Sequence, residues 1–146
     1  MKVHAYLNFA GNAEEAFEFY KSVFGGEFAS VIRFKDFPME GVTVPTEDEN
    51  KMMHIALPLG EDNLLMASDA LGSLGQEVRQ GNNVYVSVHP DSREEAERIF
   101  TALSAGADVE MPIAGQAWGD YFGSLKDTFG VMWMVNHSPP QENQSA

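Results

Sequence analysis

Four histidines, His4, His54, His89 and His137, are the side chains in this 146-residue sequence best suited to moving a proton or holding a metal. Histidine titrates unperturbed between about pH 5 and 8, and its neutral ring is a common metal ligand. His54 alternates with Met52, Ala56 and Pro58, so these four share one face of a strand. Two readings of His54 stand side by side: a hydrogen-bonded core histidine, or an accessible polar group able to act as a general base. His89 precedes Pro90 in a loop, and His137 falls at the end of the last apolar run, so both are expected in solvent. Ser68 and Asp69 end a strand, where an aspartate commonly serves a turn or a cap. Trp118 and Tyr121 flank a glycine and could wall a pocket or fill a core. The chain has no cysteine, which excludes disulfides, zinc ribbons, cysteine-ligated clusters and thiol nucleophiles. No serine–histidine–acid order stands out, and no phosphate-binding or dinucleotide glycine fingerprint occurs.

The elements that position these groups come from an internal repeat. Tyr6-Leu7-Asn8-Phe9 and Tyr85-Val86-Ser87-Val88 both alternate as strands do. Asn12 is followed by Glu15, Ala16, Phe19, Tyr20, Val23 and Gly26; Ser92 is followed by Glu95, Ala96, Ile99, Phe100, Leu103 and Gly106. Each set holds an N-cap type, an acid three residues later, one apolar helical stripe and a glycine stop. Glu14-Glu15 and Glu94-Glu95 are favourable charges at helix starts, not catalytic pairs. Strands are expected over residues 27–34, 52–59 and 63–68 in the first half, and 108–113, 121–126 and 131–136 in the second. Residues 127–130 suit a hairpin turn. Residues 36–50 read as a long mobile loop, and 70–80 as a linker. The sequence therefore predicts an α+β domain over 1–137. It is built from two tandem β-α-β-β-β units, about 1–69 and 81–137, and is followed by a disordered tail over 138–146.

The ordered pieces carry a resemblance. Tyr6-Leu7-Asn8-Phe9, Gly11-Asn12, Glu15-Ala16 and Phe19-Tyr20 are similar to the opening signature of PhnB-like proteins of the vicinal oxygen chelate (glyoxalase/bleomycin-resistance/dioxygenase) superfamily. Met53-His54-Ile55-Ala56-Leu57 and Leu65-Met66-Ala67-Ser68-Asp69 resemble their next strands. Trp118-Gly119-Asp120, Gly123, Lys126-Asp127 and Phe129-Gly130 resemble their closing segment. The resemblance implies two β-α-β-β-β units whose curved mixed sheets surround a cleft. Some relatives carry a demethylubiquinone methyltransferase label, but nothing here resembles a nucleotide-binding glycine turn.

In the wider superfamily the cleft often holds a divalent metal that chelates adjacent substrate oxygens. Matching this chain to that pattern puts His4, Asn83, Met66 and Met134 at the four ligand positions. Thioether sulfur is a poor donor for Mg, Mn or Zn, so no metal and no other cofactor is expected. The resemblance then implies a metal-independent small-molecule-binding protein, with His4, His54, Ser68, Trp118 and Tyr121 about the ligand. The alternative is a metal-dependent lyase, isomerase or dioxygenase acting on vicinal oxygens. A net charge of −13 argues against nucleic acid and anionic membrane surfaces. No signal peptide or spanning segment is evident, and a cytoplasmic homodimer is expected.

Overall fold

The computed structural model describes residues 1–140. Six of the nine residues assigned to the expected tail, 141–146, lie outside that range. The chain divides into two compact units, Met1–Arg79 and a second beginning at Gln80.

In the first unit, β1 (Ala5–Phe9) leads into α1 (Ala13–Phe24), followed by β2 (Ser30–Arg33), β3 (Met52–Pro58) and β4 (Leu64–Asp69). The sheet order is β1-β4-β3-β2, with β1 parallel to β4 and the other pairs antiparallel. A parallel pair needs a long crossover, and α1 is part of the excursion that supplies it. The apolar stripe of α1, with Ala16, Phe17, Tyr20 and Val23 all buried, covers one face of the sheet. Ile55, Leu57, Leu65 and Ala67 answer it from β3 and β4, each no more than 1% exposed.

The second unit repeats the order with β5 (Val86–Val88), α2 (Arg93–Leu103), β6 (Asp108–Gly115), β7 (Tyr121–Lys126) and β8 (Met132–His137). Its sheet runs β5-β8-β7-β6, and β5 is parallel to β8. Trp133, Val135 and Leu125 are fully buried beneath the stripe of Ala96, Ile99, Phe100 and Leu103. Gly123 leaves room for the Phe100 ring of α2 and the backbone of β6. A Cβ there would lie 2.7 Å from the Phe100 ring and 2.8 Å from the Ile113 Cα, so no larger residue fits. The α+β class and the doubled unit expected from sequence are both present.

Three local features differ from the sequence reading. The 36–50 segment is not featureless: short 3-10 turns occupy Phe34–Asp36 and Thr46–Asp48. Buried Asp48 accepts hydrogen bonds from Lys51 Nζ at 2.6 Å and Ser73 Oγ at 2.8 Å, which ties this segment to the one after β4. The two helix starts also differ. Ser92 accepts the Glu95 N–H, as a cap should, whereas the Asn12 side chain makes no cap bond. Strand pairing corrects the match between the repeats as well. Tyr6 lies within β1 beside Met66, whereas Tyr85 falls just before β5, whose Ser87 lies beside Met134.

Candidate ligand-binding face

Strand alternation sorts each sheet into a helix-covered face and an open one. In the first sheet, Phe9, Ile55, Leu57, Leu65, Ala67 and Asp69 turn toward α1. The alternate positions, Tyr6 and Asn8 on β1, His54 and Ala56 on β3, and Met66 and Ser68 on β4, lie on the other face. Register places Tyr6 beside Met66 and Asn8 beside Ser68. It pairs His54 with Ile32 on β2.

Two hydrogen-bonded pairs organise that open face. The Tyr6 hydroxyl is 3.1 Å from His54 Nδ1, with the ring centroids 5.7 Å apart. In the tautomer where the Tyr6 hydroxyl donates to Nδ1, the ring hydrogen of His54 sits on Nε2 and faces outward. Ser68 Oγ donates to Asn8 Oδ1 at 3.3 Å, which leaves the Asn8 amino group as a donor. Half-buried Met66 and Ile32 and buried Ala56 supply the apolar part of the face.

His4 sits just before β1 at the end of the same sheet, where its Nδ1 accepts the Leu64 N–H at 3.2 Å. It borders a dent of about 140 Å³ together with Lys2, Pro58, Asp62 and Leu64. Ligand pockets usually measure roughly 300–1,000 Å³, so this dent does not by itself make one. Because Nδ1 accepts the Leu64 hydrogen bond, the ring hydrogen of His4 belongs on Nε2. Neither nitrogen then offers a metal a free lone pair. Among the described residues, no group of three or more histidines and carboxylates is placed to hold a metal ion.

The remaining expected site residues lie in the second unit and do not share one surface. Tyr121 is 8% exposed on the helix-covered face, where the Arg93 guanidinium lies 4.3 Å from its ring centroid. Trp118 stands out from the 116–120 turn at 63% exposure, its ring 6.2 Å from that of Phe122. Beside it, Asp120 accepts from Asn136 Nδ2 at 3.2 Å. Hydrogen bonds from Ser138 first, then from Asn136 and Trp118, hold the Asp120 carboxyl below its ordinary range. His137, expected in solvent, is half-buried and donates from Nδ1 to the Pro90 carbonyl at 2.9 Å. Asp69 is buried and acts as a cap. Its Oδ1 accepts from Gly11 and Ala13, and its Oδ2 from Met52.

The structure thus gathers His54 and Ser68 on one face and adds Tyr6 and Asn8, which sequence reasoning had quoted only as strand residues. Period-two alternation from His4 through Tyr6 to Asn8 was the available signal, because it sets all three on one side of β1.

A family model described as 3-demethylubiquinone-9 3-methyltransferase matches residues 1–136. The chain belongs to this family, the PhnB-like proteins. The PhnB-like assignment is reinforced by protein YjdN of Escherichia coli, 30% identical over 152 residues, a match covering 99% of this chain and 100% of that one. Among solved structures, protein PA1353 from Pseudomonas aeruginosa is 36% identical with a TM-score of 0.82, over 94% of this chain and 98% of its own. A Bacillus cereus PhnB protein is 25% identical with a TM-score of 0.74, over 94% and 100%. A glyoxalase-related enzyme from Fulvimarina pelagi, 15% identical with a TM-score of 0.62, shares the fold over 100% of this chain and 96% of its own. The PhnB-like chain therefore has the architecture of the glyoxalase/bleomycin-resistance superfamily.

Proposed function

We propose that this protein binds a small organic molecule on the open face of its first sheet, without a metal, and that it does so as a cytoplasmic homodimer. The observation that carries the reading is the Tyr6–His54 and Asn8–Ser68 pairing beside Met66 and Ile32. A few convergent polar groups set in an apolar surface are how proteins orient small ligands. PhnB-like membership supports the same class of function. The metal-free part is supported by His4, whose Nδ1 is taken by a backbone N–H, and by the thioethers of Met66 and Met134 at two further ligand positions. The edge strands of the two sheets, β1 and β2 in the first and β5 and β6 in the second, are places where a second chain could pair, which supports a dimer.

The test combines elemental analysis, light scattering and a thermal-shift screen of small organic molecules on wild type and His54→Gln. The expected result is no stoichiometric metal, a mass of twice 16.1 kDa, and at least one compound that raises the wild-type melting temperature more than the variant's. A variant that melts lower yet responds equally would make His54 scaffold rather than site. Near one equivalent of zinc, nickel or manganese, lost in His4→Ala, would favour a metal-dependent enzyme acting on vicinal oxygens.

A further inference from the structure

The open face of the first sheet bears no formal charge, although the chain as a whole carries −13. Its side chains are hydroxyl, amide, imidazole, thioether and aliphatic groups. The nearest cations are engaged elsewhere. Arg33 at the end of β2 is bound by both carboxylate oxygens of Glu14, at 2.5 and 2.9 Å, and Lys51 by Asp48 at 2.6 Å. Lys2, beyond the end of β1, lies 3.4 Å from Asp62. An anion settling on this face would lose solvation with no opposite charge to replace it, inside the field of an acidic protein. The hydrogen-bond roles point the same way. The Asn8 amino group is a donor without a protein partner among the described residues, and with Tyr6 donating to Nδ1 the His54 ring presents Nε2–H as a second; both call for an acceptor oxygen.

We infer that the ligand is a neutral organic molecule carrying carbonyl-type acceptor oxygens, rather than a phosphonate, phosphate or carboxylate. The inference rests on the reading above that this face binds a ligand, and it adds the ligand's charge class. The two donors stand on β1 and β3 with Ser68 of β4 between them, so they match two separate acceptor oxygens on one ligand. The Tyr6 ring, Met66 and Ile32 match a flat apolar body.

The test uses three probes of one shape that differ in charge: benzamide, benzoate and phenylphosphonate. Each is titrated into the full-length protein while the Asn8 side-chain amide and His54 ring signals are followed by NMR. Benzamide should shift both signals, with an affinity about tenfold or more above either anion. Asn8→Lys, at an exposed position where folding is not at stake, should reverse the order by placing a cation on the face. If benzoate or phenylphosphonate binds the wild-type face as well as benzamide, the charge inference fails and the ligand-binding reading stands. If no probe moves either signal, the ligand-binding reading itself fails. If both signals move with protein concentration alone, a second copy of the chain covers the face, and the inference is overturned.

Discussion

Three carboxylates carry structure here rather than chemistry, and Asp69 shows how. It is 4% exposed and accepts three backbone N–H groups, from Gly11, Ala13 and Met52. One side chain from the end of β4 thus holds the entry to α1 and the start of β3. Asp127 does the same in the second unit, accepting from Phe129, Val131 and the Trp133 indole, the last at 2.8 Å. Asp48 bridges Lys51 and Ser73. Asp69→Asn replaces an acceptor oxygen with an N–H₂ that faces another donor. We expect it to lower unfolding free energy by about 3 kcal/mol, since bonds to charged groups are worth ~1.5–3 each and a buried donor is left unpaired. Urea denaturation checks this; a loss under about 1 kcal/mol would remove Asp69 from the scaffold role. Residue type alone suggested a turn or cap for Asp69. It could not name the recipients, because Gly11, Met52 and Asp69 are brought together only by the β1–β4 and β3–β4 pairings.

Among the elements, the two helices start from the same sequence pattern and are capped by different groups. Ser92 caps α2 from its own side chain, and Asn12 leaves that work to Asp69. Ser92→Ala should therefore cost about 1 kcal/mol, the usual value of a lost N-cap, while Asn12→Ala should stay within about 0.5 kcal/mol. Paired chemical denaturation of the two variants decides it, and equal losses would refute the assignment. The capping pattern located both helix starts, because an N-cap residue and an acid three positions on are local features. Whether a cap is occupied depends on what the neighbouring strand presents, and that is tertiary. The Gly130 turn was equally legible, since residues 127–131 close with Asp127 accepting two N–H groups and Gly130 at a φ of 89°.

At the scale of the whole molecule, pH sets two effects against each other. Hydrogen bonds from Lys51 and then Ser73 hold the Asp48 carboxyl below its ordinary range. The Arg33 hydrogen bond does the same for Glu14, as Arg98 does for Glu95. A carboxylate whose folded pKa is depressed contributes stability above its unfolded value, near 4, and loses it as pH falls through the folded value. Glu14 and Glu95 pair at the surface, so their contributions are modest, whereas Asp48 is buried and its bonds are screened less. Against them stands self-repulsion at −13, which weakens as pH falls toward the isoelectric point near 4.5. Stability should therefore hold or rise slightly from pH 7 to about 5 and then fall below about 4. Urea midpoints across that range test the sign. A steady decline beginning above pH 6 would mean that groups other than these carboxylates govern it. Added salt should raise the midpoint at pH 7 by screening the repulsion.

The sequence by itself determined the class of fold, the doubled unit, the eight strands and two helices, and the family. The fold class, the doubled unit and the elements follow from periodicity, caps and turns repeated in order, which are local signals that need no knowledge of the third dimension, while the family was legible as a resemblance of motifs. Only the tertiary structure decided which side chains meet. Tyr6 and His54 are far apart in sequence and touch because β4 runs between β1 and β3 in the first sheet. Tyr121 and Trp118 are neighbours in sequence and part company, one under Arg93 and the other in solvent. His4 was expected beside a ligand, and only the fold shows that its Nδ1 accepts the Leu64 backbone N–H. A side chain's chemistry is set by its type. What it can do depends on the partners that take up its lone pairs and hydrogens, and those arrive from strands that only the fold makes adjacent.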